Sequence, residues 1–218
     1  MAAGGMNSAE AMDNIYRRQR WIYDITRKYY LLGRDQMLAD LAPLSGQTVL
    51  EIGCGTGRNL VSAARLYPQA QFHGFDVSRE MLESAAASVR RAGLESCIKL
   101  AQADATSFTA ASLSAAEGFD RVFISYTLSM IPDWRAVLEH AALALNENGS
   151  LHIVDFSQQR KLPQFFKNIL FAWLARFSVH PDEALEQELN DLAQRHGLSL
   201  SVTHPWRGYA ISAVLRRN

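Results

Sequence analysis

The sequence has few cysteines, no long apolar run and no excess charge of either sign. Only two cysteines, Cys54 and Cys97, occur in 218 residues, and their spacing fits no metal motif, so a disulfide framework is excluded and no metal is expected. The N-terminus lacks the apolar core of a signal peptide, and no run reaches the roughly 18–20 apolar residues of a membrane-spanning helix. The 22 basic and 22 acidic residues balance, which disfavours a nucleic-acid partner. These absences predict a globular cytoplasmic protein.

The balanced total conceals two basic segments. Residues 15–34 carry six basic residues and one acid, and residues 156–181 carry four basic residues and no acid. The first segment interleaves aromatic rings with positive charges and belongs to a predicted helical cap, residues 13–46. Residues 1–12 are small and Ala/Gly-rich, so we expect them to be disordered, and residues 47–218 form the expected main domain.

Strand and helix patterns alternate from residue 48 onward, which predicts an α/β fold with a mostly parallel sheet and helices on both faces. The predicted strands are Thr48–Gly53, Gln71–Val77, Ile98–Gln102, Phe119–Ser125, Ser150–Asp155, Leu198–His204 and Ala210–Arg216. The predicted helices are Gly57–Tyr67, Arg79–Ala92, Trp134–Leu145, Pro163–Phe177 and Asp182–Arg195. The short connection between the last two strands predicts an antiparallel hairpin at one edge.

A glycine-rich turn, Glu51-Ile-Gly-Cys-Gly-Thr-Gly57, follows the first strand and opens a helix. Glycines here allow a tight turn and let the backbone approach a ligand closely. The spacing is Gly-x-Gly-x-Gly rather than the Gly-x-Gly-x-x-Gly of dinucleotide sites. Glu51 also places an acid where a phosphate binder would gain nothing. S-adenosylmethionine carries a sulfonium and an amino group but no phosphate, so the motif favours this cofactor over a dinucleotide.

Two further acids follow the next two predicted strands. Asp76 ends the second strand, where a carboxylate can accept hydrogen bonds from ribose hydroxyls. Asp104 follows the third strand, beside Ala105, in a position to meet the adenine. A single aspartate at a strand end is as often a helix cap, but Glu51, Asp76 and Asp104 together, at successive carboxyl ends, are specific to a nucleoside site.

The glycine motif and the two acids resemble those of class I S-adenosylmethionine-dependent methyltransferases, from about residue 47 to the end. The resemblance implies a Rossmann-like, seven-stranded sheet whose last strand is antiparallel. Met81 either packs on the adenine or is ordinary helix core. The residues expected to bind the cofactor are Glu51, Gly53, Gly55, Gly57, Asp76, Val77, Met81, Asp104, Ala105, Ser125 and Arg34.

Three further segments resemble the bacterial betaine-lipid N-methyltransferase (BtaB) family: Tyr23–Asp35, Ile124–Pro132 and His152–Phe156. The similarity runs from about residue 15 to the C-terminus. It implies three successive methylations of the homoserine amino group of diacylglyceryl homoserine, which yield a betaine lipid. The loop after the fourth strand lacks the Asn/Asp-Pro-Pro-aromatic signature of methyltransferases that act on the amino groups of bases. The alternatives are a quinone-type or phosphoethanolamine-type methyltransferase, or a cofactor-binding subunit without activity.

Residues 163–177 carry eight apolar or aromatic side chains among basic residues and no acid. As a helix this segment is about 22 Å long, too short to span a bilayer core of about 30 Å. Its composition suits an anionic membrane interface. The expectation is therefore a peripheral membrane protein with a lipid substrate, supplied directly or by a partner enzyme; the alternatives are a buried cap helix or a dimer contact.

Methylation of an amine requires its neutral form, because an alkylamine with a pKa near about 10 is mostly protonated at neutral pH. No strong general base is evident. The candidate catalytic residues are Tyr126, Tyr23, Tyr30 and His152. The tyrosine rings favour sulfonium and ammonium groups through cation–π attraction, and Arg34 is a candidate to bind a carboxylate. Ordinary packing is the alternative for each tyrosine, a solvated side chain for Arg34, and a core position for His152.

Overall fold

The computed structural model describes residues 31–113, 118–158 and 179–217. These residues form a seven-stranded sheet with strand order β3-β2-β1-β4-β5-β7-β6. The strands are β1 (Thr48–Ile52), β2 (Gln71–Asp76), β3 (Ile98–Gln102), β4 (Phe119–Ser125), β5 (Leu145–Phe156), β6 (Ser199–Thr203) and β7 (Ala210–Arg216). The described helices are α1 (Arg34–Asp40), α2 (Arg58–Leu66), α3 (Arg79–Ala92), α4 (Trp134–Leu143), α5 (Leu185–His196) and the short turn α6 (Pro205–Gly208).

Strands β1 to β5 run parallel, and β7 is antiparallel to both of its neighbours, β5 and β6. Strands β1, β2, β4 and β5 are buried along most of their length, as expected for parallel strands covered on both faces, whereas the edge strand β3 is largely half-buried or exposed. The predicted α/β class, the number of strands and the antiparallel last strand are confirmed. The chain reverses order between β1 and β4, so a crevice forms at the carboxyl ends of these two strands, where open α/β sheets bind ligands.

The helices cover the sheet in two layers. Apolar residues of α4 and α5 pack on one face with Leu50, Ile52 and Ile124. Apolar residues of α1, α2 and α3 pack on the other face with Phe72 and Phe123. Because α1 packs on the sheet, this part of the predicted cap, residues 13–46, belongs to the core; residues 1–30 lie outside the described residues.

Local signals set the helix ends that face the crevice. The Ser78 hydroxyl accepts a hydrogen bond from the Met81 amide, 3.3 Å, and begins α3 as an N-cap. Asp133 does the same for α4 through the Ala136 amide, 3.4 Å. Each cap follows a strand directly or after a short loop, so the capping residues also fix how the carboxyl ends of β2 and β4 leave the sheet.

Candidate cofactor and substrate site

The crevice between the carboxyl ends of β1 and β4 opens into a cavity of about 430 Å³. Among the side chains and backbone that line it are Arg34, Glu51, Gly53, Cys54, Asn59 and Ser125. The structure therefore brings together four of the residues expected to bind the cofactor, and it does so at the position that the strand order dictates.

Gly53 lies where the backbone of the glycine turn and the loop after β4 approach each other. Its φ is +69°, and a Cβ atom at this position would lie 2.4 Å from Cγ2 of Thr127, closer than any real contact. Both the conformation and the space exclude a side chain. The loop after β4 thus contacts the backbone of the glycine turn directly, and no side chain covers the backbone of Gly53 at the wall of the cavity.

Gly55 and Gly57 serve the turn in different ways. The Gly55 amide donates to Oδ2 of Asp76 at 2.9 Å. At Gly57 a Cβ atom would lie 3.1 Å from Cβ of Ala85, so this glycine lets α2 start close to α3. The third glycine of the motif therefore serves helix packing, and its predicted contact with the cofactor stays a prediction.

Asp76 holds the glycine turn in place from the neighbouring strand. Its second oxygen, Oδ1, accepts the Ser78 amide at 2.9 Å, and the residue is buried. Each carboxylate oxygen has a further lone pair, so these bonds leave the acid able to accept hydroxyl groups of a ribose. That role stays a prediction, whereas its role in positioning the turn is visible in the structure.

The cavity combines charges of both signs, because the acidic Glu51 and the basic Arg34 and Arg58 line it. Glu51 is 1% exposed and accepts a hydrogen bond from Asn59 at 2.7 Å. Burial raises the pKa of the Cys54 thiol, and the charges of Glu51 and Asp76 raise it further. A thiol in this environment stays protonated, which removes Cys54 as a nucleophile. The buried carboxylate of Glu51 suits an ammonium group of a ligand.

Two side chains of the cavity present polar groups to a ligand. Ser125 is buried, and among the described residues its hydroxyl oxygen has no hydrogen-bond partner. Arg34 is 8% exposed and contacts the carboxylate of Asp35 at 2.9 Å. Two arginines, the Ser125 hydroxyl, the carboxylate of Glu51 and bare backbone match the carboxylate and amino group of the methionine part of S-adenosylmethionine, so the residues present fit this cofactor.

The residues expected around the adenine lie at the ends of β2 and β3. Asp104 is exposed, and its Oδ1 accepts the amide and the hydroxyl of Thr106 at 2.8 and 2.7 Å. The Val77 carbonyl accepts Gln102 at 3.0 Å. Ala105 and Met81 are buried in the two cores, so Met81 is a core residue of α3. Their contacts with the adenine stay predictions.

Tyr126 follows β4 with a φ of +55°, a rare conformation for a bulky residue. It is 1% exposed, and its hydroxyl donates to the backbone carbonyl of Leu32. Burial raises the pKa of this phenol above its ordinary value. The structure therefore uses Tyr126 to fasten the segment before α1 to the tip of β4. Its hydroxyl is occupied and does not reach into the cavity as a catalytic group would.

His152 lies inside the sheet, paired with Phe123 of β4 and Val214 of β7. Its Nε2 contacts the Ser150 hydroxyl at 2.8 Å, on the side away from the strand tip. Burial, together with the positive charges of Arg216 and Arg121, lowers the pKa of His152 from 6.5 to about 4. The structure gives the alternative role, that of a neutral core histidine, and argues against the catalytic one.

Sequence reasoning assigned no role to Asp155, although it ends the fifth strand as Asp76 ends the second. Asp155 is 1% exposed and lines a cavity of about 220 Å³ with Ser129, Trp134 and His180. Burial raises its pKa from 3.8 to about 6, against the opposing effect of hydrogen bonds from Ser129, Phe156 and Leu128. Its position at a strand tip was the signal that could have identified it.

Several predictions fall outside the described residues: the catalytic tyrosines Tyr23 and Tyr30, and the aromatic segment 163–177. Among the helices that the structure describes, none combines the length and apolar character needed to cross a bilayer. In residues 31–113, 118–158 and 179–217 no three His, Cys, Asp or Glu side chains cluster in a way that could hold a metal ion.

The strand order, the glycine turn and the crevice beside it are those of the S-adenosylmethionine-dependent methyltransferase fold. More narrowly, the chain belongs to the methyltransferase family described as "Methyltransferase domain", whose model matches residues 43–194. S-adenosylmethionine is the cofactor of this class, and the predicted cofactor is confirmed at that level.

Individual relatives differ in the molecules named for them. The chain is 33% identical over 121 residues to the methyltransferase GfsG of Streptomyces halstedii, covering 56% of this chain and 42% of that protein. It is 26% identical to a demethylmenaquinone methyltransferase of Porphyromonas gingivalis, covering 76% and 70%. The chain spans about half the length of several curated relatives that it matches.

A solved structure adds the fold alone. Phosphoethanolamine N-methyltransferase 2 of Haemonchus contortus, in complex with S-adenosyl-L-methionine, superposes with a TM-score of 0.71 at 22% identity. The match covers 94% of this chain and 47% of that one. This likeness shows the fold, and the match of the family model shows the family.

Proposed function

We propose that the protein transfers methyl groups from S-adenosylmethionine to the amino group of a lipid headgroup. The acceptor that the sequence favours is the homoserine amine of diacylglyceryl homoserine, methylated three times to a betaine lipid. The observation that supports the proposal is the cavity at the tips of β1 and β4, which combines the buried residues Glu51, Ser125 and Arg34. The acceptor itself rests on the resemblance of the segments Tyr23–Asp35, Ile124–Pro132 and His152–Phe156 to the betaine-lipid N-methyltransferases.

The geometry suits an in-line displacement. When bound, S-adenosylmethionine supplies an activated methyl group on a sulfonium sulfur. The residues of the chain bind and orient: Glu51 attracts the positive groups, Arg34 a carboxylate, and the loop after β4 closes on Gly53. Orientation alone can supply roughly 7–11 kcal/mol of the barrier, so the fold needs few groups that react directly.

A lipid acceptor is supported by the place where the segment 163–177 joins the described chain. Its two flanks meet at the carboxyl edge of the sheet, where the Gln158 amide donates to the Pro181 carbonyl at 2.8 Å. This edge carries the cavities. A basic, aromatic segment that departs from here suits contact with an anionic membrane beside the site. Peripheral membrane association, with or without a partner enzyme that supplies the lipid, is part of the proposal.

A second candidate is a small-molecule methyltransferase that acts on carbon or oxygen. It is favoured by relatives named as demethylmenaquinone and nocamycin methyltransferases. Phosphoethanolamine shares an amino group with the first kind of acceptor and, like the second, has no acyl chains. The two leading candidates differ in the acceptor atom, and this difference can be measured directly.

The test is a transfer assay with purified full-length protein and methyl-labelled S-adenosylmethionine. The acceptors are diacylglyceryl homoserine in anionic vesicles, free homoserine, phosphoethanolamine and a demethylated quinone. We expect label on the vesicle lipid, and co-sedimentation of the protein with the vesicles that weakens with added salt. The Asp76→Ala variant, with its glycine turn released, is the background control. Label on the quinone but not on any amine would overturn the proposal.

A further inference from the structure

A carboxylate is buried at the tip of β5, outside the cofactor cavity. Oδ2 of Asp155 accepts the Ser129 amide at 3.2 Å, and Oδ1 accepts its neighbour's amide, Phe156, at 2.7 Å. Within the described residues no Lys, Arg or His side chain forms an ion pair with it. A buried acid that forms no ion pair within the described residues, and is held by hydrogen bonds from Ser129, Phe156 and Leu128 alone, is an unusual element of a core and marks a functional position.

Asp155 lines one of three cavities at the carboxyl edge of the sheet, and residues of its cavity connect it to the other two. Ser125 lines the cofactor cavity, and four residues later along the same loop Ser129 lines the cavity of Asp155. On its other side this cavity shares Phe156, Asp182 and Leu185 with a larger one of about 740 Å³. The cavity of Asp155 therefore adjoins the larger one, and the segment Ser125–Ser129 contributes to both this cavity and the cofactor cavity.

The larger cavity combines an apolar floor with an acidic rim. Phe156, Leu185 and Ile211 supply apolar surface, and Glu183 and Glu186 supply negative charge. A molecule with an apolar body and an ammonium group fits this combination. The two cavities share Phe156, Asp182 and Leu185, so a molecule with its body in the larger one has Asp155 in the adjoining cavity.

We propose that Asp155 is the carboxylate that receives the ammonium group of the acceptor and takes its proton; this inference rests on the amine methylation proposed above. In this step one N–H bond of the ammonium group breaks, its proton passes to an oxygen of Asp155, and the nitrogen keeps the electron pair. That pair forms the new bond to the methyl carbon, while the electrons of the carbon–sulfur bond leave with sulfur. Asp155 later returns its proton to water.

The surroundings of Asp155 are suited to this step. Burial raises its pKa to about 6, closer to the working pH than an exposed acid, as a general base requires. Three titratable groups lie around it: Tyr126 after β4, and His180 and Asp182 before α5. His180 lines the same cavity, so its effect must be separated from that of Asp155 in any measurement of pH dependence.

The test compares the Asp155→Asn and His180→Gln variants of the full chain. The acceptor is the amine that the wild-type protein methylates in the transfer assay described above. For Asp155→Asn we expect a fall in kcat of roughly 100-fold or more and loss of the acidic limb of the pH profile near pH 6. Calorimetric affinity for S-adenosylhomocysteine should stay within about threefold, since Asp155 lies outside the cofactor cavity. His180→Gln should keep the acidic limb.

Rescue separates a proton acceptor from a merely structural residue. Asp155→Ala leaves space beside the cavity for a small acid, so added formate should restore part of kcat, and added formamide should not. Wild-type kcat and an unchanged pH profile in Asp155→Asn would overturn this inference alone. If wild type labels only hydroxyl or carbon acceptors, the proposed function fails first, and the inference with it.

Discussion

Two aspartates at opposite ends of the sheet have pKa values shifted in opposite directions. Asp120, at the amino end of β4, is partly buried, which raises its pKa, but hydrogen bonds from Thr48 and Asn146 outweigh this effect and hold the pKa below 3.8. Asp155, at the carboxyl end of β5, is fully buried, and its pKa rises to about 6. The amino edge uses a carboxylate to fasten strands together, whereas the carboxyl edge keeps one that costs stability. This is the pattern expected when binding and chemistry occupy one edge only.

Two glycines show a similar contrast between the carboxyl edge and the amino edge of the sheet. Gly53 at the carboxyl edge and Gly93 at the amino edge, where α3 ends, have nearly equal φ values of +69° and +68°. Around Gly93 a Cβ atom would meet nothing within 4 Å, whereas at Gly53 it would meet Thr127 at 2.4 Å. The two positions differ in crowding and not in backbone conformation, so they form a matched pair.

The largest expected effect is that of Gly53→Ala against Gly93→Ala. Gly93→Ala should cost about 1–2 kcal/mol of unfolding free energy, the penalty of a left-handed conformation. Gly53→Ala should cost a further 1–3 kcal/mol, roughly, because the loop after β4 must move. Affinity for S-adenosylhomocysteine should fall by about tenfold or more in Gly53→Ala only. Denaturant unfolding and calorimetry measure both; equal effects at the two positions would contradict the tight packing of the turn against Thr127.

The next effect concerns stability and pH. Asp120→Asn should lower the unfolding free energy at pH 7 by about 1–3 kcal/mol, since it disrupts hydrogen bonds to a charged acceptor. The pKa of Asp120 is lowered, so its contribution is present above pH 3.8 and is lost as the pH falls through the folded-state value. Activity should be unaffected, because the residue lies at the far edge.

Asp155→Asn should have the opposite effect on the unfolding free energy at pH 7. The pKa of Asp155 is raised, so its ionisation destabilises the fold progressively as the pH rises from 3.8 to about 6. At about 1.4 kcal/mol per pKa unit, the full penalty above pH 6 is on the order of 3 kcal/mol. Removing the charge offsets the two weakened hydrogen bonds, so the variant should match or exceed wild type at pH 7. A loss as large as that of Asp120→Asn would identify Asp155 as a structural clamp.

The fold was largely predictable because its signals are local. The bounds predicted for α3, β3, β4 and β7 agree with the structure, as each is an apolar or amphipathic run between clear breakers. β5 was predicted to begin at Ser150 and instead begins at Leu145, because Leu145 pairs with Phe119 before an irregularity in the ladder. That pairing joins residues far apart in the chain, and no local pattern indicates it.

The candidate site was predictable where strand tips define it and not where distant contacts do. Glu51 and Gly53 were expected at the crevice from their position alone, and they line it; the cofactor contact of Asp76 stays a prediction, and Asp155 would have been a candidate by the same rule. The role of Tyr126 does not, since its hydroxyl binds the carbonyl of Leu32, 94 residues away. His152 shows the reverse error: its ring type indicates chemistry, but its place inside the sheet, beside Ser150, makes it a core residue.

The smallest expected effect compares two arginines across the two edges. Arg34 lines the cofactor cavity, while Arg121, near the amino edge, donates to the carbonyl of Leu41 at 2.8 Å. Arg34→Gln should weaken S-adenosylhomocysteine binding by about 3–10-fold, less than a full charged hydrogen bond because Asp35 already shares the guanidinium. Methylthioadenosine, which has no carboxylate, should bind both proteins equally. Arg121→Gln should lower stability and leave both affinities unchanged. If Arg34→Gln instead raises the KM for the lipid and spares S-adenosylhomocysteine, then Arg34 binds the carboxylate of the acceptor, and the carboxyl edge holds both substrates through one cavity.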